Sequence, residues 1–96
     1  MSCSLSTHVL DTGAGRPARG VAVELRRGDA VIASVETDLD GRARLADELE
    51  PGVYRLSFAP PSPFFRTVEL EIDLDEGHYH VPLLVSPYGC ASYRGS

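Results

Sequence analysis

Lysine is absent from this 96-residue chain, cysteine occurs only twice, and no long apolar run interrupts a sequence that is 24% charged. Each shortage excludes something. All nine cations are arginines, a compositional bias without mechanistic content; they are scattered, and the formal charge is -5. Phosphate backbones are bound by clustered cations, so nucleic acid is excluded as a partner. Cys3 and Cys90 form no CxxC pair and are too few for a disulfide scaffold, so both are expected as reduced thiols. A membrane span needs about 20 consecutive apolar residues, and none is present. The N-terminus shows no basic-then-apolar signal pattern, which makes the expected location cytoplasmic and a membrane partner unexpected. There is no repeat, linker or low-complexity stretch, and residues 1–96 read as one domain. A domain this small leaves little stability to spare, which favours self-association.

What is present is strand periodicity. Val21, Val23 and Leu25 alternate with Ala22, Glu24 and Arg26; Tyr54, Leu56 and Phe58 alternate with Arg55 and Ser57; Val68, Leu70, Ile72 and Leu74 alternate with Glu69, Glu71 and Asp73. Further segments lie near 4–10, 31–37, 79–86 and 89–94, and Gly-containing turns separate them at Gly13, Gly28, Gly41 and Gly52. Seven or eight short strands at this spacing predict an all-β sandwich. The best helical candidate is a turn around Ala46 to Leu49, so at most one short helix is expected.

Two acidic patterns carry little. Glu36-x-Asp38-x-Asp40-Gly41 followed by Asp47 imitates the oxygen spacing of a calcium loop, but strands flank it and Arg42 and Arg44 would sit inside it. A tight turn with Gly41 in an unusual backbone conformation is the simpler reading. Glu69, Glu71 and Asp73 occupy the wet face of an alternating strand. The histidines say more. If Leu5, Thr7 and Val9 face the core, Ser6, His8 and Leu10 face outward; if Val81, Leu83 and Val85 face it, His80, Pro82 and Leu84 face outward. Such faces fit a binding or subunit surface, although Pro82 lacks a ladder donor and belongs at an edge or irregular position. His8, His78 and His80 could alternatively form a three-histidine zinc site.

Leu5-Ser6-Thr7-His8-Val9-Leu10-Asp11-Thr12, Gly15-x-Pro17-Ala18, Thr37-Asp38-x-Asp40-Gly41-Arg42, Pro63-Phe64-Phe65 and the block from His78-Tyr79-His80-Val81-Pro82 to the terminal Tyr93-Arg94-Gly95-Ser96 occur in this order along nearly the whole chain. The set resembles the signatures of the 5-hydroxyisourate hydrolases, the transthyretin-related family of urate breakdown. The resemblance implies a transthyretin-like β-sandwich that forms dimers and then a homotetramer, with active sites in the channel between dimers. It implies hydrolysis of a cyclic amide in 5-hydroxyisourate, giving 2-oxo-4-hydroxy-4-carboxy-5-ureidoimidazoline, with no cofactor and no metal. It places catalytic roles on His8, Arg42 and His80, and substrate binding on His8, Arg42, Tyr93, Arg94, Gly95 and Ser96. The residue types suit the reaction, because a neutral imidazole accepts a proton from water near neutral pH and a guanidinium binds oxygens and a developing oxyanion.

The chain departs from the family pattern twice. Cys90, Ala91 and Ser92 stand where the family usually has Tyr-Ser-Thr, and the proline-rich Ala59 to Phe65 replaces a short helix and loop. A non-catalytic structural sandwich of the carboxypeptidase regulatory type, which residues 21–60 also resemble, and a transthyretin-like carrier are the alternatives. The former lacks the histidine-bearing blocks, and transthyretin does not carry the His, Arg, His and Tyr-Arg-Gly-Ser set.

Overall fold

A computed structural model describes residues 2–95. Among them are nine strands and no helix: β1 (Cys3–Asp11), β2 (Arg16–Pro17), β3 (Ala22–Arg27), β4 (Ala30–Glu36), β5 (Arg42–Leu49), β6 (Gly52–Phe58), β7 (Val68–Leu74), β8 (Gly77–Val85) and β9 (Cys90–Ser92). One sheet runs β2-β1-β8-β9, with β5 also paired to β1; the other runs β4-β3-β6-β7. The helical turn expected around Ala46 to Leu49 is instead part of β5. Two register shifts against β1 disturb the alternation there, and the buried Leu45 and Leu49 stand four apart, a spacing that fits one face of a helix as well as one face of a strand.

Alternation elsewhere is close to that read from the sequence. β1 buries Cys3, Leu5, Thr7 and Val9, and β8 buries Val81, Leu83 and Val85, against Val23, Leu25, Tyr54, Leu56 and Phe58 of the second sheet. Each such apolar side chain contributes about 1.5–3 kcal/mol by leaving water. Buried polar groups are paired. Thr7 Oγ1 donates to the Val81 carbonyl at 2.6 Å, and Thr37 Oγ1 donates to Ala18 O at 2.7 Å while accepting from Val21 N–H at 2.9 Å. The proline-rich connection between β6 and β7 forms no helix, and Ser62 Oγ organises it by accepting from the N–H groups of Phe64 and Phe65. Both cysteines are free, Cys3 buried and Cys90 exposed.

β1 and β8 run parallel side by side, although about 70 residues separate them in the chain, and their register sets the outer face of the first sheet. Ser4 pairs with His78, Ser6 with His80, and His8 with Pro82. On its other side β1 pairs His8 with Arg42 and Ser6 with Arg44 of β5. Paired residues share a face. His8, Arg42 and His80 are therefore brought together by strand register alone.

Candidate active site

The turn before β5 carries Arg42 to the end of β1. Asp38 Oδ1 accepts the backbone N–H groups of Asp40 and Arg42, closing the turn by the usual Asx pattern rather than around a calcium ion. Gly41 follows with φ +76°, a left-handed conformation that favours glycine. Its carbonyl accepts from Val9 N–H at 2.7 Å, and a Cβ at this position would lie 2.4 Å from the Val9 carbonyl oxygen. Gly41→Ala is accordingly expected to lower the melting temperature by several degrees, with a cost above about 1 kcal/mol, and to weaken any activity that depends on His8 and Arg42. Thermal unfolding followed by circular dichroism checks the first effect.

The same turn orients His8, whose Nε2–H donates to the Asp40 carbonyl at 2.7 Å. A carbonyl only accepts, so Nε2 holds a proton and Nδ1 is the nitrogen left for chemistry. His80 is turned the other way round: its Nδ1 lies 2.8 Å from Ser6 Oγ, and its Nε2 has no hydrogen-bond partner among the described residues. The two rings are 6.5 Å apart at their centroids and tilted by 46°. Partial burial lowers the pKa of His80, and the neighbouring His8, Arg42 and His78 lower it further. At neutral pH His80 is thus an uncharged base. Arg42 makes no ion pair among the described residues, which leaves its guanidinium available to an anion or carbonyl oxygen. An open cleft of about 420 Å³ is lined by Ser6, Asp38, Arg42, Arg44, His78 and His80.

The C-terminal residues are placed less simply. Gly95 returns to the sheet beside His80, donating its N–H to the His80 carbonyl at 2.6 Å. A Cβ on Gly95 would lie 3.0 Å from His80 Cδ2, so only glycine passes here without pressing on the imidazole. Tyr93 and Arg94 instead border a second cavity of about 450 Å³ under β7, where Arg94 sits 4.0 Å over the Tyr79 ring. Ser96 lies outside the described residues. Between the Leu83–Ser92 pair and the His80–Gly95 bridge the same register is interrupted at Pro82, which has no N–H to offer. Pro82 is buried within the sheet at this irregularity, and its carbonyl accepts from Ser92 Oγ at 2.8 Å.

Sequence reasoning missed Ser4 and the hydrogen-bonded link of Ser6 and His78 to His80; it treats His78 only as a candidate zinc ligand and Ser6 only as an outward-facing position. Ser6 Oγ also lies 3.0 Å from His78 Nε2, and Ser4 Oγ lies 2.6 Å from His78 Nδ1. On its own strand a serine at a wet position carries no signal; the parallel pairing with a strand about 70 residues away creates it. His8, His78 and His80 do not converge on a common point, and no three histidine, cysteine or carboxylate side chains among the described residues are grouped to hold a metal ion.

The HIUase/Transthyretin family model matches residues 5–95. A 5-hydroxyisourate hydrolase from Caulobacter vibrioides is 45% identical, covering 96% of this chain and 97% of its own. Among solved structures, the Klebsiella pneumoniae 5-hydroxyisourate hydrolase superposes with a TM-score of 0.89 at 34% identity, covering 98% of this chain and 99% of that one. Sea bream transthyretin in complex with thyroxine superposes at 0.83 with 30% identity, covering 95% and 93%. The likeness extends along both sheets and through the strands that carry His8, Arg42 and His80, and the chain belongs to the HIUase/Transthyretin family.

Proposed function

We propose that this chain is a hydrolase of urate degradation that opens 5-hydroxyisourate to 2-oxo-4-hydroxy-4-carboxy-5-ureidoimidazoline. The observation that carries the reading is the convergence of two histidines with complementary free nitrogens and an uncommitted arginine on one outward face. Relatives at 37–45% identity bearing the hydrolase name support it. His80 Nε2 takes a proton from water, and the hydroxide attacks the cyclic amide carbonyl. Arg42 holds the substrate's oxygens and stabilises the oxyanion, help worth about 10²–10³ in rate. Collapse breaks the C–N bond as a histidine returns the proton to the leaving nitrogen; His8, with Nδ1 free, is the partner of His80 in this shuttle. Tyr93, Arg94, Gly95 and Ser96 position the substrate ring. No cofactor takes part.

The assembly we infer is a homotetramer, a dimer of dimers, that covers the outer face carrying His8, Leu10, His80 and Leu84. Tyr93 and Arg94, which line a different cavity in one subunit, meet substrate in the channel so formed. The enzyme works as one domain in the cytoplasm, where its free thiols stay reduced.

The reaction is tested with substrate generated freshly by urate oxidase in ordinary water and then diluted into ¹⁸O-water. Faster formation of singly labelled, ring-opened product than in the absence of the chain supports the reading; an unchanged rate refutes it. pH provides a second check. The acid limb of kcat/KM is expected below the ordinary histidine value of about 6.5, because activity falls only when pH drops through the lowered pKa of His80. The unfolded chain takes up that proton at the ordinary value, so the contribution of His80 to stability is fully present above about pH 6.5 and diminishes as pH falls toward its folded pKa. A pH–rate profile with its acid midpoint above 6.5 would contradict the assignment of His80.

A further inference from the structure

We propose that Ser6 is a positioning residue for His80, the link in a hydrogen-bonded chain Ser4–His78–Ser6–His80 that keeps the His80 proton on Nδ1 and its lone pair on Nε2. The inference rests on the hydrolytic reading of His80 given above and adds residues to which that reading assigned no role.

The geometry is a ladder. Ser4 and Ser6 alternate outward along β1, His78 and His80 alternate outward along β8, and the parallel register sets each serine opposite one histidine. Successive separations are 2.6 Å from Ser4 Oγ to His78 Nδ1, 3.0 Å from His78 Nε2 to Ser6 Oγ, and 2.8 Å from Ser6 Oγ to His80 Nδ1. All lie within hydrogen-bonding range. A hydroxyl has one proton to donate, so Ser6 cannot donate to both rings at once. Where Ser6 both accepts and donates along the chain, two polarities are available. In one, Ser6 donates to His80 Nδ1, and the neutral ring carries its proton on Nε2, which cannot then act as a base. In the other, His80 Nδ1–H donates to Ser6, Ser6 donates to His78 Nε2, and His78 Nδ1–H donates to Ser4.

Only the second polarity survives the proton cycle. With Nε2 unprotonated the neutral ring accepts a proton from water there, and the resulting imidazolium still donates its Nδ1–H to Ser6 without any hydroxyl turning. The first polarity would set two donors, the Ser6 hydroxyl and the imidazolium Nδ1–H, against each other. Ser6 thus serves His80 as a backbone or carboxylate oxygen serves other catalytic histidines, by fixing the tautomer through the nitrogen remote from the reaction. His78 holds the Ser6 hydroxyl away from His80. The charged and titratable groups around His80 are His8 from β1, Arg42 and Arg44 from β5, His78 from its own strand and Asp38 from the turn before β5, of which His8, Arg42 and His78 lower its pKa. No carboxylate is hydrogen-bonded to its ring among the described residues, so the neutral hydroxyl is its only fixed acceptor.

Imidazole ¹⁵N NMR of the wild-type protein at pH 7.5, compared with Ser6→Ala, Ser6→Thr and His78→Phe, tests this without depending on turnover. His80 is expected as the Nδ1–H tautomer in the wild type and in Ser6→Thr, which keeps the hydroxyl. It is expected to shift toward the Nε2–H tautomer in Ser6→Ala and His78→Phe. In parallel, kcat for 5-hydroxyisourate should fall by about tenfold or more in Ser6→Ala, with KM within about twofold, and recover in Ser6→Thr. The same His80 tautomer in wild type and Ser6→Ala would overturn the proposal, whatever the rates show. A tautomer shift in a protein whose wild type does not accelerate the reaction would uphold the positioning and overturn the proposed function instead.

Discussion

His80→Ala should lower kcat/KM for 5-hydroxyisourate by about 10²-fold or more while leaving the melting temperature nearly unchanged. The ring is half-buried on the outer face, and its removal opens no core cavity, because the residues that hold β8 in place are Val81, Leu83 and Val85. What is lost, on the proposed mechanism, is a base kept neutral by its surroundings and aimed through Nε2. His8→Ala and Arg42→Ala should each produce losses of similar order, since the first removes the shuttle partner and the second the oxyanion anchor. Because the three side chains act on one reaction, combining the substitutions should cost far less than the product of the separate losses. Steady-state kinetics with circular dichroism on the same samples distinguishes a chemical defect from an unfolded chain.

Leu84→Arg should convert a tetramer into folded dimers with most of the turnover gone. Leu84 shares the outer face of β8 with His80 and is paired with Leu10 of β1, so apolar side chains adjoin the histidine there. In the tetramer proposed above, a charge at the centre of a covered apolar contact would have no partner and would lose its hydration, a cost of several kcal/mol. Covering the face also excludes water from Arg42 and strengthens its pull on a developing negative charge. Sedimentation velocity and rate measurements on the same preparation decide the matter. A dimer or monomer with full activity would separate catalysis from assembly.

Much of this arrangement was legible before any coordinates. The two-residue period of β3, β6 and β7 and the inward Leu5, Thr7 and Val9 locate both sheets, and their phase alone turns His8 and His80 outward. β5 was hidden because its two bulges disturb that period, while Leu45 and Leu49 stand at a spacing that fits helix and strand alike. The role of Pro82 was legible as a disturbance but not as a place: the ladder breaks where its missing N–H would have bonded, and the tail rejoins at Gly95 beyond the break. Proximity across strands was the harder part. Ser6 and His80 are 74 positions apart and meet only because β1 and β8 are parallel neighbours, a pairing that periodicity within either strand does not encode. Tyr93 and Arg94 show the converse. Terminal position and motif marked them, whereas in one subunit they face the β7 side rather than the histidine cleft.

Metal-free hydrolysis of 5-hydroxyisourate by His8, Arg42 and His80 together is tested most directly by following the decay of freshly generated 5-hydroxyisourate with chelator-treated wild-type protein beside the His8→Ala, Arg42→Ala, His80→Ala triple variant. Rapid decay is expected with the wild type, and decay at the spontaneous rate with the folded triple variant. Equal rates for the two proteins, or activity that vanishes on chelation and returns with added zinc, would contradict it.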